Sequence, residues 1–198
     1  PGGPSPLCDE TPRGCAPPFG WSNPLPLDYA YTGSSGPTIA VDGNGDALVV
    51  WLRSDRRSRV WADRYVADWG WGTPISLETS DVGDASWPQI AMDAGGNAIA
   101  VWSRSDGIRT SIWATRYGVG SGWETATRIG TSDVVTAAGP KVGLDSNGNA
   151  IAVWMLSEGA RSSIWANRLS NGTSWGTATL IGTNEAGYSS GLQIATNS

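Results

Sequence analysis

Along the chain, short runs of Val, Ile, Ala, Trp and Tyr are separated by clusters of Gly, Asn, Asp and Ser, which is the signal of strands and turns rather than of helices. Four such runs succeed one another between residues 88 and 130: PQIAMD, NAIAVWSR, TSIWATRY and WETATRIG. They predict four strands. The breaks AGGN, SDGIR and GVGSG suit tight turns, whereas TSDVVTAAG, from Thr131 to Gly139, is longer. Three short connections and one long one describe a four-stranded meander whose chain then crosses from the outer edge of one sheet to the inner edge of the next. The runs ALVVW and AIAVW are apolar at successive positions instead of alternating, which predicts strands covered on both faces.

The pattern recurs. GPTIAVDGNGDALVVW (36–51), WPQIAMDAGGNAIAVW (87–102) and GPKVGLDSNGNAIAVW (139–154) align, with Pro37, Pro88 and Pro140 spaced by 51 and 52 residues. The register continues through VWADRY, IWATRY and IWANRL, then through GWGTPISL, GWETATRI and SWGTATLI. Tryptophan accordingly returns at Trp51, Trp102 and Trp154, at Trp61, Trp113 and Trp165, and at Trp71, Trp123 and Trp175. The expected fold is all-β, with β-propeller-type four-stranded antiparallel blades of about 51 residues in units 36–86, 87–138 and 139–191. GWSNPLPL (20–27) matches the end of a unit and LQIATNS (192–198) its start, so partial units 20–35 and 192–198 flank the three complete ones. A β-solenoid and tandem β-sandwiches are the alternatives; solenoid coils are usually shorter than this period, and a fifty-residue sandwich lacks core.

With NAIAVW, IWATRY or IWANRL, and GWG or GWE in its units, the stretch from Gly20 to Ser198 resembles the Trp-rich β-propeller repeats of bacterial secreted and surface proteins. The resemblance implies a propeller-type fold and an extracellular or cell-surface setting, and it carries no catalytic residues with it. Closed propellers have four or more blades, so three units are expected either to belong to a longer chain or to self-associate through their end blades.

Composition narrows the chemistry. The chain has no His, which excludes imidazole metal ligands, Ser-His-Asp triads and Cys-His nucleophile pairs. Eighteen acidic against 13 basic residues give a net charge of −5, and Lys141 is the single lysine, so nucleic acid is not an expected partner. No apolar run approaches the roughly twenty residues of a membrane-spanning helix, and no membrane insertion is expected. Residues 1–19 are rich in Pro and Gly and hold both cysteines, Cys8 and Cys15; an even count in such a segment predicts a local disulfide and an oxidising compartment, with two free thiols as the alternative.

The turns DGNGD, DAGGN and DSNGN resemble the opening of a calcium loop, with Asp42, Asn44 and Asp46 as oxygen donors, but each lacks the downstream bidentate Glu. The favoured reading is a hairpin turn capped by Asp or Asn with Gly at positive φ, so neither metal nor cofactor is expected. SDRRSRVW, SDGIRTSIW and SEGARSSIW loosely resemble the Asp-box hairpin of sialidase-type propellers, at a different spacing. Arg64, Arg116 and Arg168 each come three residues after a mid-strand Trp, hence on the opposite strand face. Trp71, Trp123 and Trp175, with Trp21 in the partial unit, stand at loop-to-strand boundaries and are the indoles expected to be exposed. An exposed indole packs on the apolar face of a pyranose while a neighbouring Arg binds its hydroxyls, which makes these seven residues the ligand-binding candidates, as repeated weak sites reinforced by avidity. Trp69 and Trp87 fall outside the common register. The expected function is non-catalytic extracellular recognition or adhesion, with carbohydrate the favoured ligand. A self-assembling surface or filament protein and a glycoside hydrolase or sialidase-like enzyme are the alternatives.

Overall fold

The structure, a computed structural model, describes residues 26–27, 33–78, 83–130, 136–159, 161–170, 172–184 and 191–196. The expected Cys8 to Cys15 disulfide and the candidate Trp21 lie outside them. Among the described residues there is no helix, and the strands form three antiparallel sheets, one for each repeat unit. The first contains β1 (Ser34–Val41), β2 (Ala47–Ser54), β3 (Ser58–Val66), β4 (Gly70–Trp71) and β5 (Ile75–Ser76). The second contains β6 (Ala85–Met92), β7 (Ala98–Ser105), β8 (Thr110–Gly118), β9 (Gly122–Trp123) and β10 (Thr127–Arg128). The third contains β11 (Thr136–Leu144), β12 (Ala150–Glu158), β13 (Arg161–Ser170), β14 (Ser174–Trp175) and β15 (Thr179–Asn184). Each is a meander of three long strands, and the three sheets are not closed into a ring.

The fourth strand differs from expectation. GWETATRIG is two short pieces, β9 and β10, which both pair with β8, and the same break separates β4 from β5 and β14 from β15. Between the pieces the chain stays tethered by single bonds to the third strand: Gly72 N to Arg64 O at 2.8 Å, Glu124 N to Arg116 O at 2.8 Å and Gly176 N to Arg168 O at 2.9 Å.

The first strand of each sheet starts two or three residues ahead of the repeated motif and passes through a bulge, between Ser35 and Thr38, Ser86 and Gln89, and Ala138 and Lys141. The extra residues are Gly36-Pro37, Trp87-Pro88 and Gly139-Pro140. Proline has no N–H for the ladder, so a bulge is where a strand tolerates it. The residue before it takes a left-handed φ of 60°, 49° and 59° in the three sheets. Glycine adopts that conformation freely, whereas Trp87 is held there at a cost of about 1–3 kcal/mol.

The sheets pack face on face, and strand alternation decides what meets what. Trp102 and Trp113, directly opposite one another on β7 and β8, join a core with Val50, Val60, Ala62 and Leu77 of the first sheet. Trp154 and Trp165, paired in the same way on β12 and β13, join Ile99, Val101, Ile112 and Ile129 of the second. Each junction therefore sets a tryptophan pair against an aliphatic face, and the double-sided apolar runs arise because β7 contributes Val101 to one junction and Trp102 to the other. The first strands β1, β6 and β11 run beside one another, linked by Thr38 Oγ1 to Pro88 O at 3.5 Å and Lys141 Nζ to Gln89 Oε1 at 3.1 Å. Residues 191–196 continue the series: Thr196 Oγ1 donates to Leu144 O at 3.1 Å, and Gly143 faces Ile194 and Thr196 so closely that a Cβ would stand 2.5 Å from Thr196 Cγ2.

Candidate functional site

The DGNGD-type turns lie at one edge of the sheets, and their acids are occupied by the turns themselves. Asp42 Oδ1 accepts from Asn44 N at 2.8 Å and Asp46 N at 2.9 Å; Asp93 and Asp145 hold their turns with the same pair of bonds. Gly45, Gly96 and Gly148 take φ of 85°, 89° and 77°, completing the hairpin. Asp46 accepts from Arg64 Nη2 at 2.6 Å and from Ala67 N at 2.8 Å. The carboxylate oxygens of Asp42 and Asp46 are thus engaged by protein donors, and among the described residues no group of three or more Cys, Asp or Glu is arranged to hold a metal. The Asn149 side chain and backbone hold the Asp145 carboxyl below its ordinary range, with a smaller pull from Arg168.

Between the first and second sheets these turns touch: Gly43 N donates to Ala94 O at 3.3 Å, and a side chain on Gly43 would press on that same oxygen. Between the second and third sheets they flank a cleft of about 210 Å³ lined by Asp93, Asn97, Arg116, Ser146, Asn147 and Gly172. Arg116 enters it from β8, donating from Nη1 to Gly172 O at 2.5 Å across the junction and standing 3.8 Å from the Glu124 carboxylate. Its counterparts differ. Arg64 is paired with Asp46 and lies 5.8 Å over the Tyr117 ring of the second sheet, while Arg168 is exposed. Of the three candidate arginines, only Arg116 lines the cleft.

The boundary tryptophans are not the exposed set. Trp71, Trp123 and Trp175 are half-buried because strand register places them directly opposite Tyr65, Tyr117 and Leu169. Trp71 and Trp123 meet their tyrosines edge-on, with centroids 5.4 and 5.3 Å apart, and Trp175 packs on the core between the second and third sheets. Among the described residues, Trp69 and Trp87, the two indoles outside the register, are the exposed ones.

At the opposite edge lies a group that no repeated motif marks. Glu78 comes two residues after β5 and is buried, at the position taken by Gly130 and Gly182 in the other units. Burial pushes its carboxyl up to about 7; Arg104, the Trp102 indole N–H and Arg59 pull the other way, and Asp84 adds to the push. Its Oε1 accepts no hydrogen bond of good geometry. Arg104 lies 4.8 Å over the Trp113 ring, and Asp84 accepts from Ser58 N at 2.9 Å. The signal was present in the alignment of the units, as a carboxylate in a column of glycines.

No protein-family model matches this chain, and no curated protein sequence matches it. The class defined by the fold is that of all-β proteins built from packed antiparallel sheets. Within it, the chain is similar to the crystal structure of the polysaccharide lyase Uly1, with a TM-score of 0.53 and 13% identity over 73% of this chain and 40% of that one. The chain thus spans 40% of the lyase's length. A protein of unknown function from Dyadobacter fermentans aligns with a TM-score of 0.35 and 9% identity, over 75% of this chain and 69% of that one. At 13% identity the likeness to the lyase is one of fold. It corrects the expectation of a chain without catalytic activity: a similar fold occurs within an enzyme, so the repeat architecture does not set this chain apart from enzymes.

Proposed function

We propose that this chain recognises carbohydrate in the cleft between its second and third sheets, as part of an extracellular array of propeller-type blades. The lining of the cleft carries this reading. Arg116 supplies guanidinium donors, Asn97, Asn147 and Ser146 supply both donors and acceptors, and rigid strands on either side hold them in place. Such a mixture matches sugar hydroxyls, each of which donates and accepts. The volume is below the roughly 300 Å³ at which pockets for larger ligands begin, which suits a single ring and leaves affinity to multivalent contact. A fold neighbour that is a polysaccharide lyase by name is an analogy in the same direction. A glycan array and then calorimetry on the strongest binder test the reading: Arg116→Ala is expected to weaken binding at least tenfold while the circular dichroism spectrum is kept. Unchanged affinity in that variant would refute the cleft as the site.

A second reading, self-assembly, is favoured by the exposure of the two outer faces. Leu48 and Ile99 are buried against the next sheet, whereas their counterpart Ile151 is 40% exposed; Leu77 and Ile129 are buried, whereas Ile181 is 59% exposed. On the other side Val142 and Leu144 are buried, while Ile39 and Val41 are 57% and 58% exposed, although Val49 and Trp51 on the same face are buried. The third sheet thus presents the surface that the second sheet buries, and the first presents, at Ile39 and Val41, part of the surface that accepts it. A second copy fits head to tail, a heterologous contact that builds rings or open arrays. Sedimentation velocity is expected to give concentration-dependent oligomers that Ile151→Asp dissolves, and a wild-type chain that stays monomeric at every concentration would remove this reading.

A further inference from the structure

We propose a second carbohydrate site, distinct from the Arg116 cleft, in which the exposed indole of Trp87 is the platform for a pyranose ring. The inference starts from an exception to the repeat. Trp87 occupies the bulge position filled by Gly36 and Gly139 in the other sheets and holds the same left-handed backbone, with φ of 49° against 60° and 59°. A bulky side chain in that conformation is strained, and such strain persists where the surrounding structure imposes it. Core packing does not require this residue, because it is 54% exposed. Its backbone does not require it either, since the two sister bulges form with glycine.

The next two residues fix the position of Trp87. Pro88 is buried, and its carbonyl accepts from Gln89 Nε2 at 2.7 Å and from Thr38 Oγ1 of β1 at 3.5 Å. Lys141 of β11 donates to Gln89 Oε1 at 3.1 Å, so polar side chains of three adjacent first strands form a connected row beside the bulge. An exposed flat ring carried on a bulge whose next carbonyl is bonded by amide and hydroxyl groups offers the two components that sugar recognition uses: stacking against the face of the pyranose and hydrogen bonds to its rim. Trp87 and Asp93 are six residues apart on β6 and the turn after it, roughly 20 Å, which is too far for one ring to span both this platform and the cleft. The proposal takes its ligand class from the carbohydrate reading above and does not depend on the cleft.

The experiment compares wild type, Trp87→Gly, Trp87→Phe and Arg116→Ala by calorimetry against cellohexaose and a polygalacturonate hexamer, with a thermal melt of each. Trp87→Gly is expected to weaken binding at least tenfold and to raise the melting temperature by about 2–4 °C through release of strain. Trp87→Phe is expected to keep binding within a few fold of wild type. Unchanged affinity in Trp87→Gly overturns the Trp87 site, and a loss confined to Arg116→Ala does so while sparing the cleft. A lowered melting temperature in Trp87→Gly, with binding equally lost in Trp87→Phe, marks Trp87 as structural and also overturns it. No binding of either probe by the wild type overturns both sites together.

Discussion

Trp102→Ala should lower the unfolding free energy by about 3–5 kcal/mol, seen as a reduced denaturant midpoint with an unchanged slope. The side chain is fully buried at the junction of the first two sheets, in one cluster with Val50, Val60, Ala62 and Leu77 and opposite Trp113 on the neighbouring strand. Its removal leaves a void between two hydrogen-bonded ladders that cannot close on it, so the lost transfer energy is joined by a cavity cost. Trp69→Ala is the control: that indole is 80% exposed, and its loss should change stability by less than about 0.5 kcal/mol. A Trp102→Ala loss as small as the control's would mean that the first two sheets do not share a core.

The next largest effect is one of pH and rests on Glu78. Its carboxyl is pushed from an ordinary 4.5 up to about 7 by burial, so the folded chain keeps a proton that the unfolded chain gives up earlier. Below pH 4.5 both states are protonated and there is no penalty. As pH rises from there to about 7 the unfolded state is increasingly favoured, and above 7 the full cost of the buried charge stands, on the order of 3 kcal/mol at about 1.4 kcal/mol for each pKa unit. Asp55, Asp106 and Asp145 are shifted the other way by hydrogen bonds in their turns and make stability fall below the usual carboxylate range, outside this window. Urea denaturation at about pH 5 and about pH 8 should therefore find the wild type less stable at the higher pH. Glu78→Gln should lose most of that difference, with the carboxyl of Asp63, also raised by burial, acting in the same direction, and should exceed the wild type in the alkaline sample. A wild-type chain with the same stability under both conditions would show that Glu78 is ionised at little cost.

Much of this architecture was legible in the residues because it is repeated. The spacing of Pro37, Pro88 and Pro140 located three sheets, and the runs ALVVW and AIAVW located strands covered on both sides, since burial on two faces demands apolar side chains at successive positions. The turn reading of Asp42, Asp93 and Asp145 came from the chemistry of Asp next to glycine. Cross-strand register was not legible, and three differences trace to it. The fourth strand breaks in two against the third, the boundary tryptophans lie opposite Tyr65, Tyr117 and Leu169, and Arg116 reaches Gly172 while Arg64 meets Asp46. Glu78 and Trp87 were visible as departures from the repeat, but their meaning depends on burial and φ, which spacing does not encode.

Carbon-edited nuclear Overhauser spectroscopy, with the indole of Trp102 and the methyl groups of the first sheet assigned, is the most direct measurement of flat sheets stacked face to face. Strong cross-peaks from the Trp102 ring to methyls of Val50, Val60 or Leu77 are expected, because the junction brings these residues into one core. A Trp102 ring that contacts only methyls of its own sheet would contradict the face-to-face stacking of the first two sheets.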